Sequence, residues 1–197
     1  MNGYRQFCGL AVALDVIGDR WNLLIVRELL IAPRRFGRLR AALPGIASNL
    51  LTDRLRDLEQ AGIVHRADDP ARKAVEYSLT AQGQDLREAV HALVRWGARF
   101  MAAGPRDGDT VRGEWLGLAA EALLAPAAEV RADVEIVTDG VTLDLARADD
   151  DAHARLRGPA AAVLGTVAGA LPPAAATALG VTVEDPDGLL PAPARRA

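Results

Sequence analysis

The sequence has little of what would build a disulfide framework or a membrane span. Cys8 is the only cysteine among the 197 residues, so a disulfide within the chain is excluded. No apolar run reaches the roughly 18 residues that a membrane helix needs. No signal-peptide pattern opens the chain. We therefore expect a cytoplasmic protein without a membrane partner.

Patterns that carry catalysis are also missing. We find no phosphate-binding glycine loop, no nucleophile elbow and no spacing typical of metal ligands. The histidines at positions 65, 91 and 153 are scattered. An acidic run at 149–151 lies close to His153, but such runs are usually solvated turns. We predict no catalytic residue, no metal and no cofactor, and so no enzyme.

The charge of the chain is divided between its two halves. Residues 1–103 hold 15 basic and 11 acidic side chains, and residues 104–197 hold 8 basic and 15 acidic ones. The first half can approach phosphate, whereas the second half would be repelled by it. We therefore predict two domains, over residues 1–103 and 110–195, joined by a Gly/Pro linker at 104–108.

The order of elements in the first half is the most informative feature of the chain. Apolar periodicity predicts helices over 10–17, 21–31, 36–43 and 48–61, and Gly62 ends the last of them. Two strands, 63–66 and 75–79, then flank a charged loop, and a long helix is predicted over 80–103. A helix, a turn, a second helix and a two-stranded wing place one helix in the major groove of DNA.

The second half mixes helices and strands. Helical patterns cover 114–124 and 160–171, and extended segments cover 134–137, 141–145 and 181–183. The first two strands flank Asp139-Gly140, a pair that favours a hairpin turn. This half is predicted to be a smaller α+β domain.

The helix over 48–61 has two different faces. Leu51, Leu55 and Leu58 fall on one side, and hydrogen-bonding residues fall on the other. Asn can bond adenine, Thr can touch a thymine methyl, and Arg reaches guanine or phosphate. The plainer interpretation is a solvated surface helix with an ion pair inside it. From the order of elements we predict DNA binding by Ser48, Asn49, Thr52, Asp53 and Arg56.

Basic residues flank this helix on both sides. Each of them alone could be a solvated charge, but together they suit phosphate contacts that position the protein without reading sequence. The predicted contacts at the start of the preceding helix and around the wing are Arg34, Arg35, Arg38, Arg66, Arg72 and Lys73.

Several segments together resemble the HxlR family of winged-helix bacterial regulators. They are residues 8–11, 14–21, 35–39, 51–59 and 77–83. The resemblance implies a homodimer, built through the first and last helices of residues 1–103, on an inverted-repeat double-stranded DNA operator. Two positions depart from the family. Ala47 replaces a common serine, so Ser48 is expected to cap the helix one residue later, and Arg72 replaces the usual wing proline.

Cys8 has two interpretations. Several members of the family sense oxidants or electrophiles through a cysteine near this position, which makes Cys8 a redox candidate. A free cysteine is otherwise a small apolar residue packed beside a helix. A reactive thiol needs a lowered pKa and access to solvent.

Residues 110–195 resemble the sterol-carrier-protein-like fold, which encloses an apolar cavity. The segments concerned are 134–145, 158–164, 167–169 and 181–183. The predicted fold class is thus α+β: an N-terminal winged helix-turn-helix domain followed by a smaller α+β sterol-carrier-like domain. The predicted function is a homodimeric repressor controlled by an apolar small-molecule ligand. The alternatives are a small-molecule- or lipid-binding protein whose winged helix mediates protein contacts, and a regulator that senses redox state through Cys8.

Overall fold

The computed structural model describes residues 3–69, 74–101, 105–124, 130–138, 140–147 and 152–190. The chain forms two compact units, Met1–Val90 and His91–Ala197. Their division lies upstream of the predicted linker at 104–108. No helix among the described residues combines the length and the apolarity that crossing a membrane requires.

The first unit contains the predicted elements in the predicted order. Each helix of the first four begins and ends within one residue of its predicted bounds, because the apolar spacing that defines it is local. They are α1 (Gly9–Ile17), α2 (Asn22–Ile31), α3 (Phe36–Ala42) and α4 (Ser48–Gln60), with the short strand β1 (Arg34–Arg35) before α3 and the wing strands β2 (Val64–Asp69) and β3 (Ala74–Leu79) after α4.

The sheet of this unit has three strands in the order β1-β3-β2, all antiparallel. The pair β2 and β3 is the predicted wing. Strand β1 was not predicted, because two residues are too few to show a period-two pattern. It lies against the outer side of β3, where Arg34 is opposite Tyr77.

The end of α4 confirms the role predicted for Gly62. Its backbone has φ +74°, and its N–H donates to the carbonyl of Glu59 at 3.0 Å. The N–H of Ile63 donates to the carbonyl of Leu58 at 2.9 Å. These two bonds form a Schellman cap, which turns the chain from α4 directly into the wing.

The single long helix predicted over 80–103 is wrong. The segment forms α5 (Ala81–Gln84) and, after a break, α6 (Arg87–Ala98). Thr80 caps α5: its Oγ1 accepts from the N–H of Gly83 at 3.1 Å and donates to the carbonyl of Gly62 at 2.6 Å. A Cβ at Gly83 would collide with the carbonyl oxygen of Ile63. Helix α5 ends at Gln84, the N–H of Leu86 donates to the carbonyl of Gly83 at 3.3 Å, and α6 begins at Arg87.

The second unit is an antiparallel sheet with helices. Its strand order is β4-β5-β6-β7. After α7 (Trp115–Leu124) the elements are β4 (Val130–Val137), β5 (Gly140–Arg147), β6 (His153–Gly158), α8 (Ala160–Val167), α9 (Pro173–Ala178) and β7 (Thr182–Glu184). The predicted hairpin is confirmed, with Val137 opposite Gly140, while the turn residue Asp139 lies outside the described residues.

Two elements of this unit escaped prediction, and one is shorter than predicted. Strand β6 was interpreted as a polar stretch, although Ala154 and Leu156 are buried between exposed neighbours. Helix α9 begins at Pro173, because proline suits the first turn of a helix as well as it ends one. Helix α8 stops at Val167 and does not reach residue 171.

One face of the four-stranded sheet forms the core of this unit. Val141, Leu143 and Leu145 of β5 are at most 1% exposed, and they pack with Leu116 of α7 and Val163 of α8 in one apolar cluster. The α+β class predicted for this half is therefore confirmed. Its likeness to the sterol-carrier-protein-like fold stays a prediction, and the acidic run at 149–151 lies outside the described residues.

Candidate nucleic-acid interface

Helix α4 has the two faces that the sequence predicts. Leu51, Leu55 and Leu58 are 0%, 2% and 0% exposed. The predicted reading residues lie on the exposed side of the helix; they are Ser48, Asn49, Thr52, Asp53 and Arg56. The buried leucines fix the rotation of α4 about its axis, so the hydrogen-bonding side chains stay on the solvent side.

The start of α4 differs from the prediction that Ser48 is the cap. The N-cap is Ala47, whose side chain makes no capping bond, and Ser48 is the first helical residue. The carbonyl of Ser48 accepts from Thr52 Oγ1 at 2.9 Å. Because the Thr52 hydroxyl donates to its own helix, its methyl group is left for an apolar contact such as a thymine methyl.

The next turn of α4 carries an exposed ion pair. Arg56 Nη1 lies 3.3 Å from Asp53 Oδ1, and the side chains are 60% and 54% exposed. Pairs of this kind contribute about 0.2–1 kcal/mol. Arg56 can therefore exchange Asp53 for a base edge or a phosphate at small cost. In the free protein, the ion pair keeps the guanidinium on the exposed side of α4.

A second arginine ties α4 to the rest of the unit. Arg54, 19% exposed, forms an ion pair with Asp19 in the α1–α2 loop, and its Nη2 lies 3.1 Å from Asp57 Oδ2. Sequence reasoning missed this contact. The i,i+3 spacing of Arg54 and Asp57 was the available signal, but the partner 35 positions away was not predictable from local pattern.

Three of the predicted phosphate contacts lie at the surface. Arg35 and Arg38 are exposed at the start of α3. Arg66 of β2 is 40% exposed, and its Nη2 lies 2.8 Å from Asp68 Oδ1. Arg72 and Lys73 lie outside the described residues.

Arg34 is placed differently from its neighbours, which corrects its predicted role as a phosphate contact. Its side chain is only 11% exposed, and its Nη2 lies 3.5 Å from Oε2 of the fully buried Glu28. Its Nε also donates to the Glu28 carbonyl at 3.3 Å. Glu28 was missed in the sequence, although it shares the core-facing side of α2 with Ile25 and Leu29.

Cys8 is an exposed free thiol at the N-cap of α1, so the interpretation as a packed apolar residue is wrong. The backbone N–H groups of Ala11 and Leu10, at the start of α1, lower the pKa of Cys8 below its ordinary value. A thiol at a helix N-terminus has the environment that favours thiolate. Within the described part of the chain, His, Cys, Asp and Glu form no group of three or more that could hold a metal ion.

Taken together, α3, the turn, α4 and the strands behind them form a winged helix-turn-helix. The sequence profile of the HxlR-like helix-turn-helix family matches residues 16–105, which contain this whole arrangement. The matches with the regulators sll1512 and YvaP, described below, cover 72% and 83% of those proteins. The chain therefore belongs to the HxlR-like helix-turn-helix family and is a helix-turn-helix transcriptional regulator.

The chain is 37% identical over 99 residues to the HTH-type transcriptional regulator sll1512 of Synechocystis, covering 49% of this chain and 72% of that protein. It is 36% identical over 92 residues to the regulator YvaP of Bacillus subtilis, covering 45% and 83%. The regulator Mb3122 of Mycobacterium bovis is 42% identical over 92 residues, covering 45% and 56%, so the match spans just over half of that relative. Among solved structures, the redox regulator HypR in its oxidised form is 36% identical, with 47% of this chain and 96% of that chain covered and a TM-score of 0.45.

Proposed function

We propose that this chain is a repressor that reads its operator through Asn49, Thr52 and Arg56. The exposed polar face of α4, within a helix-turn-helix and wing, is the observation that carries this proposal. Asn49 offers an amide to adenine, Thr52 a methyl to thymine and Arg56 a guanidinium to guanine. Ser48 and Asp53 border this set, and a cytoplasmic location is what the role requires.

Phosphate contacts complete the proposed binding mode. Exposed Arg35 and Arg38 precede the reading helix and exposed Arg66 follows it in the wing, where the two phosphate backbones of a groove would run. Arg72 and Lys73, which lie outside the described residues, stay predicted phosphate contacts. The net positive charge of residues 1–103 supports the approach to DNA.

The experiment is a titration with the chain's own upstream DNA and with a scrambled duplex at several salt concentrations. Arg56→Ala should lose about 1–3 kcal/mol of operator affinity if the guanidinium reads a base. Arg99→Ala, which removes an exposed arginine outside the interface, is the matched control. Full operator preference in the triple variant Asn49→Ala, Thr52→Ala, Arg56→Ala would contradict the proposal.

The same titration separates the regulator from its alternative. A lipid- or small-molecule-binding protein whose winged helix only contacts proteins would show no preference for any duplex. A regulator keeps its sequence preference while its affinity falls with salt.

We further propose a homodimer that binds an inverted repeat. Large apolar side chains are exposed on α1, where Leu10 is 69% and Val12 54% exposed, and on α6, where Trp96 is 57% exposed. A two-fold partner would bury such surface. Two half-sites about 34 Å apart, one turn of DNA, are then expected.

The second unit is proposed to bind an apolar small molecule that controls the repressor. Its acidic charge disfavours phosphate, and its strands and helices enclose an apolar interior built around Leu143 and Val163. Small-molecule sites are lined mostly by apolar side chains of this type. In this proposal the first unit binds DNA and the second unit binds the ligand that controls it.

Redox control through Cys8 is a second candidate. The observation favouring it is the exposed thiol at the start of α1, with the pKa of Cys8 lowered by backbone N–H groups. An exposed thiolate is the reactive form. The two forms of control predict different effectors, an oxidant for Cys8 and an apolar compound for the second unit.

A further inference from the structure

We propose that the buried carboxylate of Glu28 is a positioning residue for the wing. Through Arg34 it holds the outer strand of the three-stranded sheet, so that the wing meets the phosphates while α4 reads the bases independently. This inference rests on the proposed DNA binding, and it assigns a task to a fully buried carboxylate and to its largely buried arginine partner.

The carboxylate of Glu28 is buried. The Glu28 side chain is 0% exposed and lies between two guanidinium groups. Arg27 Nη2 is 2.7 Å from Oε1 and Arg34 Nη2 is 3.5 Å from Oε2. Burying charge is costly, and replacing such a cluster with apolar residues often costs nothing or stabilises a fold. Stability alone is therefore a weak reason for a glutamate here, and a positional role explains it better.

Arg34 belongs to a very short strand. Strand β1 contains only two residues, Arg34 and Arg35, and its neighbour among the described strands is β3. So short a strand makes few ladder bonds to keep it in place. The Arg34 guanidinium adds an ion pair with the Glu28 carboxylate and a hydrogen bond from Nε to the Glu28 backbone carbonyl, and these attach β1 to helix α2.

The register of the three-stranded sheet aligns Arg34 with the wing. Arg34 of β1 is opposite Tyr77 of β3, and Tyr77 is opposite Arg66 of β2. Arg34, Tyr77 and the exposed wing arginine therefore form one row across three strands. A shift of β1 would move this row and Arg66 with it.

Helix α4 has its own support. Its leucines are buried and Arg54 pairs with Asp19; neither contact involves Glu28. Arg35, which follows Arg34 directly, is the N-cap of α3. Loss of the Glu28 carboxylate should thus disturb phosphate contacts by Arg35 and Arg66 and leave base reading by α4 intact.

The test uses the full chain with Glu28→Gln, titrated against operator and scrambled duplex over a range of salt. Affinity for both duplexes should fall by the same factor, so that their ratio is unchanged. The slope of log K against log salt should become shallower by about 0.9 for each phosphate that the variant no longer neutralises. Asp85→Asn, the same chemical change at an exposed position outside the interface, should not alter the slope.

Two further variants separate position from folding. The double variant Glu28→Gln, Arg34→Met removes the buried carboxylate together with the charge of Arg34, so it should melt higher than Glu28→Gln and yet keep the shallow slope. Arg34→Lys keeps the charge without the planar fork. Its salt slope should lie between that of the wild type and that of the double variant. A wild-type slope in the folded double variant, or a loss of operator preference at an unchanged slope, would overturn the inference.

Hydrogen exchange gives a readout that needs no DNA. In the double variant, amide protection should fall in β1 and β3 and persist in α4. Unchanged protection in β1 would overturn the positioning role, whatever the duplexes show. Failure of the proposed function has a different signature, the absence of operator preference in the wild-type chain.

Discussion

Two consecutive arginines show how much depends on a single side chain. Arg34 and Arg35 are the same residue type in the same two-residue strand, but Arg34 is 11% exposed and pairs with Glu28, whereas Arg35 is exposed. Successive side chains of a strand point to opposite faces. One arginine therefore attaches its strand to Glu28, and the other is available to a phosphate.

Cys8 provides the prediction at this scale. The backbone N–H groups of Ala11 and Leu10 lower the pKa of Cys8 in the folded chain, so thiolate should form at a lower pH than in the unfolded chain. The rate of alkylation by iodoacetamide, followed against pH, should rise at lower pH in buffer than in urea. As the chain has no other cysteine, the label reports this site alone. Coincident pH profiles would contradict the prediction.

At the scale of elements, the predictions from local sequence pattern are confirmed where the structure depends on residues close together in the chain. The faces of α4 and the Gly62 cap follow from residues within one or two turns of each other. The close approach of Gly83 to the carbonyl of Ile63, about twenty positions earlier in the chain, depends instead on tertiary packing. The strand β1 likewise exists only because β3 lies beside it.

The exposed apolar side of α6 leads to the prediction for elements. Trp96 and Phe100 are 57% and 64% exposed and pack edge to face with ring centroids 5.0 Å apart. We expect a dimer by sedimentation at micromolar concentration. Trp96→Arg should shift the equilibrium towards monomer, because it places charge in the surface that a dimer would bury. Arg106→Ala, at an exposed position outside α6, should not. A folded wild-type monomer at this concentration would contradict the homodimer.

For the whole molecule, the two units differ in the sign of their charge: residues 1–90 hold 13 basic and 11 acidic side chains, and residues 91–197 hold 10 and 15. The family match covers residues 16–105, and the second unit, His91–Ala197, begins within that match. The boundary falls inside α6, since His91 Nε2 lies 3.6 Å from Glu121 Oε2 and Arg95 donates to the Ala122 carbonyl at 3.1 Å. These contacts place the second half of α6 with α7.

Coupling between the units is the prediction at this scale. A thermal-shift screen of lipids, aromatics and polyketide-like compounds should find a stabilising ligand. Operator titration with and without that compound should then show a change in affinity, from a few-fold to about a hundredfold. By linkage, operator must change the affinity for the compound by the same factor. A stabilising compound that leaves operator affinity unaltered would contradict ligand control.

The amino-acid sequence by itself determined the helix-turn-helix and wing, the two faces of α4, its cap at Gly62 and the hairpin of β4 and β5, because each rests on residues close together in the chain. Only the tertiary structure decided that Arg34 pairs with a buried glutamate, that Arg54 binds Asp19 and that Gly83 packs against the carbonyl of Ile63. In each of these cases the deciding partner lies at least six positions away. Periodicity carries no information about such partners, since they meet only when the core forms.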